Sequence, residues 1–216
     1  MARRKKEEPS VHKERIATTA IELFANKGIE NTSMDDIART ANYSKATLYV
    51  YFQNKEDIVN YITLKSMTEL FVTVEKTLSL DNNLKILNEK EFKKCFISLC
   101  FALVDFQQTY PSFFESTLNY IEIDADNNSH SILNEIYQVG EKINSLISIF
   151  LEVGVNAKIL KPIDNMVLTI FQLWGMISGL IKLTSQKSLY IELSSGIKAS
   201  EFLNQGFEKI YKIIRY

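Results

Sequence analysis

The chain has 216 residues, of which 46% are hydrophobic, and it contains only 7 glycines and 3 prolines. A chain of this length can bury a substantial core as one or two domains, and so few helix breakers favour a mostly helical protein. The net charge of −1 excludes a basic surface over the whole chain, so nucleic-acid binding would have to come from a local motif. No run approaches the roughly 18 uninterrupted apolar residues of a membrane span, so no membrane is expected.

Residue types that carry catalysis or bind metals are sparse. Cys95 and Cys100 are expected on different faces of a helix, and only His12 and His130 could complete a metal site. No Ser/His/Asp set, nucleotide-binding glycine loop, CxxC or HExxH motif is present. We therefore expect no enzyme, no cofactor and no metal. Reduced thiols and a charged N-terminus without the apolar core of a signal peptide predict a cytoplasmic protein.

Residues 1–10 are charged and carry the basic run Arg3–Lys6, followed by Glu7 and Glu8. This tail is either disordered and solvated or a basic arm that touches DNA, and the two glutamates favour the first interpretation because they weaken the local field. A first helix is predicted from Val11 to Asn26, with Gly28 after its C-terminal end.

The stretch from Ser33 to Phe52 predicts two short helices joined at a sharp turn. Ser33 and Ser44 are good N-caps, and Asn42 tolerates the left-handed conformation that ends a helix. Leu48 and Phe52 would anchor the second helix at i, i+4 spacing. Its outward face would then carry Lys45, Ala46, Thr47, Tyr49 and Val50. An exposed helix start after a short turn is helix-turn-helix geometry.

Four motifs in this region resemble the DNA-binding domain of the tetracycline-repressor (TetR) family of bacterial regulators. They are Ala20–Gly28, Thr32–Ala38, Ser44–Tyr49 and Tyr51–Asp57. Asn42 replaces the usual turn glycine and Tyr43 a small aliphatic residue, and the bulk of Tyr43 is expected to shift the angle between the two helices slightly. The resemblance implies an all-α fold with a helix-turn-helix domain at residues 11–54 and a helical ligand-binding and dimerisation domain at residues 55–216.

The residues expected to contact DNA lie on the two short helices and at the start of the fourth. Lys45 is the expected base reader, with Thr47 and Tyr49 on phosphates. Lys55 either meets a phosphate or is a solvated side chain at a helix start. The full set is Thr32, Ser33, Met34, Ser44, Lys45, Ala46, Thr47, Tyr49, Val50, Tyr51 and Lys55.

Beyond residue 54, apolar residues at helical spacing predict helix after helix and no strand. The predicted helices are a fourth one from Lys55 to about residue 80, Glu91–Thr109, Ser112–Ile121, Ile132–Val155, Asp164–Thr184 and Gly196–Tyr216, with loops at 122–129 and 185–195.

Helices this rich in aromatic residues can leave a binding pocket, although any one aromatic side chain is more often part of the core. The pocket candidates are Phe101, Asp105, Phe113, Phe114, Tyr120, Tyr137 and Trp174; an ordinary surface position is the alternative for Asp105.

The segment Trp174–Gly179 is similar to a Trp-x-x-x-His-Gly segment in the body of TetR-family proteins, with Ser178 in place of His. The resemblance implies a dimer interface formed by residues 164–184 and 196–214, and packing within one subunit is the alternative. The expected interface residues are Gly175, Gly179, Leu203, Phe207 and Ile210. The resemblance as a whole implies a homodimeric repressor that binds a palindromic DNA operator and is released by an unknown small-molecule effector. A helical enzyme with an unrecognised active site is the alternative function.

Overall fold

The computed structural model of the protein describes residues 7–78, 88–118 and 131–216. These residues form nine α-helices, and their only strand-like pairing is an isolated antiparallel bridge between Leu160 and Arg215. The predicted all-α fold is therefore confirmed. The helices are α1 (Pro9–Lys27), α2 (Met34–Thr40), α3 (Lys45–Tyr51), α4 (Lys55–Leu78), α5 (Glu89–Thr109), α6 (Pro111–Leu118), α7 (Ile132–Asn156), α8 (Met166–Ser195) and α9 (Ala199–Ile214).

Two helices extend into segments that the sequence predicted to be a tail or a loop. α1 begins at Pro9, inside the predicted tail, because a proline in the first turn loses no hydrogen bond that the helix needs. α8 runs through the predicted loop at 185–195, and its backbone leaves helical geometry only at Lys187 (φ −130°, ψ 22°). Ile191 is buried beyond that kink, so tertiary packing holds the extension in place. The predicted loop at 122–129 lies outside the described residues.

The chain divides into two compact units, one drawn from Met1–Met67 and Tyr110–Ile136 and the other from Thr68–Thr109 and Tyr137–Tyr216. The first unit thus reaches beyond residue 54 and includes α6. The Phe113 ring of α6 lies 6.4 Å from that of Phe24 on α1, and the Ser112 hydroxyl donates a hydrogen bond of 3.2 Å to the backbone carbonyl of Phe24.

The core of the first unit lies between its three N-terminal helices. α1 contributes Ile16, Ala17, Ala20 and Phe24, α2 contributes Ile37 and Ala38, and α3 contributes Leu48, all of them buried. The small alanines on α1 and α2 let the helix backbones approach closely. This packing fixes the direction in which α3 presents its opposite face.

In the second unit, α9 packs against α8 and α5. The rings of Phe92 on α5 and Phe150 on α7 stack at 4.2 Å, and Tyr211 on α9 lies beside Phe96 at 5.5 Å. Gly154 on α7 has no room for a side chain, because a Cβ atom there would lie 2.5 Å from the Phe92 ring.

α8 leaves much of its apolar surface uncovered. It is the one helix among the described segments that is long and apolar enough to cross a membrane, yet only 22% of its most apolar 18-residue window is buried. Its exposed apolar residues are Val167, Leu168, Phe171, Leu183, Leu189, Tyr190 and Leu193. So many exposed apolar side chains on one helix are typical of a face that another molecule covers.

Candidate nucleic-acid interface

The start of α2 is held by a reciprocal pair of hydrogen bonds. The Ser33 hydroxyl accepts from the backbone N–H of Asp36 at 3.1 Å, and the Asp36 carboxylate accepts from the backbone N–H of Ser33 at 3.2 Å. These bonds satisfy two N–H groups that the first turn leaves free, and the bonds from Ser33 lower the pKa of Asp36. Ser33 therefore caps the N-terminus of α2, as the sequence predicted.

The turn between α2 and α3 depends on Asn42. This residue has a φ of 60°, in the left-handed region, so asparagine takes the conformation for which a glycine would otherwise serve. The backbone N–H of the following Tyr43 donates to the carbonyl of Ala38 at 2.9 Å, which closes α2. The replacement of the usual glycine thus leaves a sharp turn intact.

α3 is anchored on one side and open on the other. The Ser44 hydroxyl caps it by accepting from the backbone N–H of Thr47 at 3.0 Å, and Leu48 is completely buried beneath it. On the opposite face Val50 is 76% exposed and Tyr49 43%. Ser44, Lys45 and Ala46 are also exposed, and Thr47 and Tyr51 are half-buried. α3 thus has the free face that a recognition helix needs.

Tyr43 joins the turn to α1. Its hydroxyl lies 2.7 Å from Nδ1 of His12 and accepts a hydrogen bond of 3.1 Å from Arg15. The His12 ring also stacks on Tyr51 of α3 at 5.0 Å. The bulky residue at this position therefore ties α1 to the turn, and His12 ties α1 to the end of α3. Sequence reasoning missed this cluster because it pairs residues about 30 or more positions apart.

Lys45, the predicted base reader, is paired with a carboxylate on the neighbouring helix. Its ammonium lies 2.8 Å from Oδ1 of Asp35 and donates a hydrogen bond of 3.1 Å to Oδ2. The hydrogen bond and charge of Asp35 raise the pKa of Lys45, so it carries its positive charge at neutral pH. Both side chains are exposed, so the pair lies on the open side of the helix-turn-helix.

Three other residues that were predicted to contact DNA are buried, half-buried or hydrogen-bonded within the protein. Thr32 is 1% exposed and its hydroxyl donates to the carbonyl of Gly28 at 2.8 Å, so the prediction that its side chain reaches DNA is wrong. Met34 is half-buried. The Lys55 ammonium donates to the backbone carbonyls of Ile29 (2.8 Å) and Glu30 (3.3 Å), an arrangement that neither interpretation of this residue foresaw.

The predicted pocket residues are divided between the two units. Phe113 and Phe114 are buried in the first unit, where they form part of its core. Phe101, Tyr137 and Trp174 belong to the second unit, and the Phe101 ring packs edge-on against Phe207 at 5.4 Å. Asp105 is exposed, so the alternative of an ordinary surface position holds. Tyr120 lies outside the described residues.

The described part of the second unit contains an open pocket of ≈ 520 Å³. It is lined by residues that sequence reasoning did not select, Thr77, Glu91, Lys94, Cys95 and Ser98. Partial burial raises the pKa of the Cys95 thiol, so this thiol is no more reactive than an ordinary one.

The predicted dimer residues separate into two groups. Gly175 and Gly179 are exposed on α8, and a Cβ atom added at either would meet nothing within 4 Å. Leu203, Phe207 and Ile210 are 5%, 0% and 4% exposed and lie in the core of their own subunit. Their assignment to the dimer interface is wrong, because the apolar stripe of α9 that contains them is already covered.

The geometry of α2, the turn and α3 defines a helix-turn-helix DNA-binding protein. Residues 16–62 match the family model described as "Bacterial regulatory proteins, tetR family". The chain is therefore a helix-turn-helix transcriptional regulator whose DNA-binding region resembles that of the TetR family, as the sequence motifs predicted.

Individual proteins are similar to shorter or longer parts of the chain. An HTH-type transcriptional regulator of Bacillus subtilis, YhgD, is 25% identical over 70% of this chain and 73% of its own length. IcaR of Staphylococcus epidermidis is a negative regulator of the biofilm operon icaADBC. It is 46% identical to this chain over 46 residues, which are 21% of this chain and 25% of IcaR. The crystal structure of PfmR, a TetR-family regulator from Thermus thermophilus, has the same fold, with a TM-score of 0.66 at 22% identity over 92% of this chain and 97% of that one.

Proposed function

We propose that the protein is a cytoplasmic, homodimeric repressor that binds a palindromic operator through α3 and is released by a small-molecule effector. The observation that carries the DNA-binding part is the open face of α3, where Tyr49 and Val50 are exposed above the buried Leu48. Repression is supported by IcaR, whose helix-turn-helix region is similar and which is a negative regulator.

The contacts follow from the chemistry of the exposed face. Lys45, at the first position of α3, can donate to guanine O6 and N7 in the major groove, and Ala46 and Val50 can contact thymine methyl groups. Tyr49 and the polar residues Ser33, Ser44 and Thr47 can donate hydrogen bonds to phosphates, which fix the position of the helix. Met34, Tyr51 and Lys55 stay in the proposed contact set, from which the side chain of Thr32 is removed.

The dimer face is proposed to be the exposed apolar surface of α8. Val167, Phe171, Gly175, Gly179 and Leu183 follow one another at four-residue intervals and all are exposed. Because Gly175 and Gly179 have no side chains, a second copy of the helix could approach closely there. Two subunits joined in this way would present two copies of α3 to half-sites about 34–36 Å apart, or a multiple of that spacing.

The effector is proposed to bind in the helical part of the chain beyond residue 54, where the aromatic residues Phe101 and Trp174 lie in the second unit. A ligand that favours a spacing of the two α3 helices different from the operator spacing lowers DNA affinity. The coupling free energy is typically about 1–3 kcal/mol, and the operator must weaken effector binding by the same factor.

DNA binding is tested by gel shift with the DNA upstream of the gene and with duplexes selected from a random library. Tyr49→Ala should weaken binding to all duplexes, since a phosphate contact carries no sequence information. Tyr216→Ala is the matched control, because Tyr216 is 66% exposed and lies at the far end of the chain. Equal affinity of both variants and the wild type for a selected duplex contradicts the assignment of α3.

Effector release is tested through Trp174, the only tryptophan of the chain. Small hydrophobic and cationic compounds are screened for a change in its fluorescence, and each titration is repeated with saturating duplex. A compound whose affinity falls when the duplex is present is an effector. An affinity that is identical with and without DNA excludes an allosteric role for that compound.

A further inference from the structure

We propose that Asp35 is a specificity-determining residue: together with Lys45 it reads a G·C base pair, and it weakens binding to DNA that lacks this pair. The inference rests on the proposed operator binding through α3. It concerns a residue that lies on α2, outside the recognition helix, and that was not among the residues expected to contact DNA.

The geometry places the Asp35 carboxylate beside the N-terminal end of the recognition helix α3. Asp35 is in the first turn of α2, and its Oδ1 lies 2.8 Å from the ammonium of Lys45, the first residue of α3. The first residues of a recognition helix are those that reach base edges in helix-turn-helix complexes. A carboxylate held beside the first residue of α3 is therefore within reach of the same base pair.

The two neighbouring aspartates of α2 have different environments. Asp36 accepts the capping hydrogen bonds of Ser33 and pairs with Arg39 at 2.7 Å, so its carboxylate stabilises the start of α2. Asp35 has Lys45 as the only partner that the described residues provide, and its side chain is 64% exposed. Its carboxylate can therefore accept a further hydrogen bond from a base.

The pair Lys45–Asp35 offers donors and an acceptor in the order that a G·C pair requires. The Lys45 ammonium has three N–H donors, and the hydrogen bond to Asp35 leaves two for guanine N7 and O6. The Asp35 carboxylate can accept from the N4 amino group of the paired cytosine. An A·T pair presents its single donor, adenine N6, between two acceptors, so the same side chains cannot match it in full.

On other sequences the same carboxylate opposes binding. At an A·T pair or a reversed C·G pair it would face base acceptors without receiving a hydrogen bond, and its charge repels the phosphates of any duplex. A residue that combines attraction to one base pair with repulsion from the others widens the difference between operator and non-specific DNA. This function differs from that of a phosphate-binding residue, which raises affinity for all sequences alike.

The test compares Asp35→Ala with the wild type on three duplexes: one selected from a random library by the wild type, the same duplex with its individual G·C pairs replaced, and a scrambled one. We expect Asp35→Ala to bind the scrambled duplex more tightly and to lose about tenfold of its preference at one G·C pair, within the range for a base contact. Asp35→Asn, which retains an acceptor without the charge, should keep part of that preference while it also binds the scrambled duplex more tightly.

Two controls separate this role from a structural one. Glu22→Ala removes another exposed carboxylate from the first unit and should change neither quantity. In a Lys45→Met background, Asp35→Ala should no longer alter the preference at that pair, because the two residues act as one unit.

Uniform weakening on all duplexes, with no change of preference at any base pair, assigns Asp35 a structural role and overturns the inference. Asp35→Asn keeps the test open if Asp35→Ala does not fold, which circular dichroism shows. If the wild type selects no duplex, the proposed operator binding fails first and this inference fails with it.

Discussion

Tyr61, on α4, donates a hydrogen bond of 2.6 Å to Oε1 of Glu14, on α1. The other oxygen of the same carboxylate accepts a hydrogen bond from Lys65, one turn further along α4. The hydrogen bonds from Lys65 and Tyr61 lower the pKa of Glu14, and burial together with the bond to Glu14 raises the pKa of Tyr61 to about 12. This network holds the first part of α4 against the helix that supports the recognition helix.

The network predicts a defined dependence of stability on pH. Because the pKa of Glu14 in the folded protein lies below its ordinary value of 4.5, the stabilisation is present above that pH and is lost as the pH falls through the lowered pKa. Glu14→Gln should therefore reduce the free energy of unfolding by about 1 kcal/mol at neutral pH and by less in acid. Urea denaturation at both pH values measures this, and a difference that is the same at both contradicts the network.

The contribution of Tyr61 to stability has the opposite pH dependence, because it is lost as the pH rises. Its pKa is raised from 10.0 to about 12, because the folded protein favours the neutral phenol. The resulting stabilisation is complete below the ordinary pKa of 10.0 and is lost as the pH rises from there through the folded-state pKa of about 12. Tyr61→Phe cannot ionise and should show no such loss. Denaturation of both proteins across this range measures the difference, and parallel stability curves would disprove the assignment.

The proposed dimer face predicts that Gly179→Leu separates the subunits without unfolding them. A side chain at this position meets nothing within its own subunit, and leucine is a better helix former than glycine by roughly 1 kcal/mol. Against a second copy the same side chain would overpack the interface at a cost of about 1–3 kcal/mol. Sedimentation should show more monomer and gel shift weaker DNA binding, with an unchanged or higher melting temperature of the monomer.

Gly140→Leu is the matched control for this experiment. Gly140 is also a helical glycine whose added Cβ would meet no atom within 4 Å, but it lies on α7, outside the proposed face. It should leave the oligomeric state unchanged. A wild type that sediments as a monomer while it binds a selected duplex tightly would sink the dimer proposal.

Phe207→Ala should unfold the subunit rather than dissociate a dimer. Phe207 is completely buried in one subunit, and removing a buried phenylalanine side chain costs about 3–5 kcal/mol. Chemical denaturation should show this loss at every protein concentration. A loss that appears only at low concentration, where a dimer dissociates, would return Phe207 to the interface.

The exposed Val50 predicts a contact with a thymine methyl group. Replacing one thymine of the selected duplex with uracil removes only that methyl, and at the contacted position it should weaken wild-type binding by about 1 kcal/mol. The Val50→Ala variant should be insensitive to the same replacement, because its side chain no longer reaches the group. Equal sensitivity of both proteins at every thymine would refute the contact.

The sequence alone determined the features that depend on neighbouring residues. Ser33 and Ser44 cap their helices, Asn42 makes the turn and Leu48 anchors α3, as their positions predicted. Each of these depends on hydrogen bonds or side-chain spacing within four or five residues, which the order of amino acids sets directly. For the same reason the motifs alone indicated the TetR type.

Tertiary structure decided what an apolar or charged residue faces. Stripes on α8 and α9 look alike in sequence, yet Phe207 is buried in its own subunit while Phe171 is exposed, because only one of the two stripes meets neighbouring helices. Asp105 shares a helix with buried aromatic residues but points to solvent. The pairs Asp35–Lys45 and Glu14–Tyr61 join residues on different helices. Their distances depend on how those helices pack, and helical periodicity within a single segment cannot specify that.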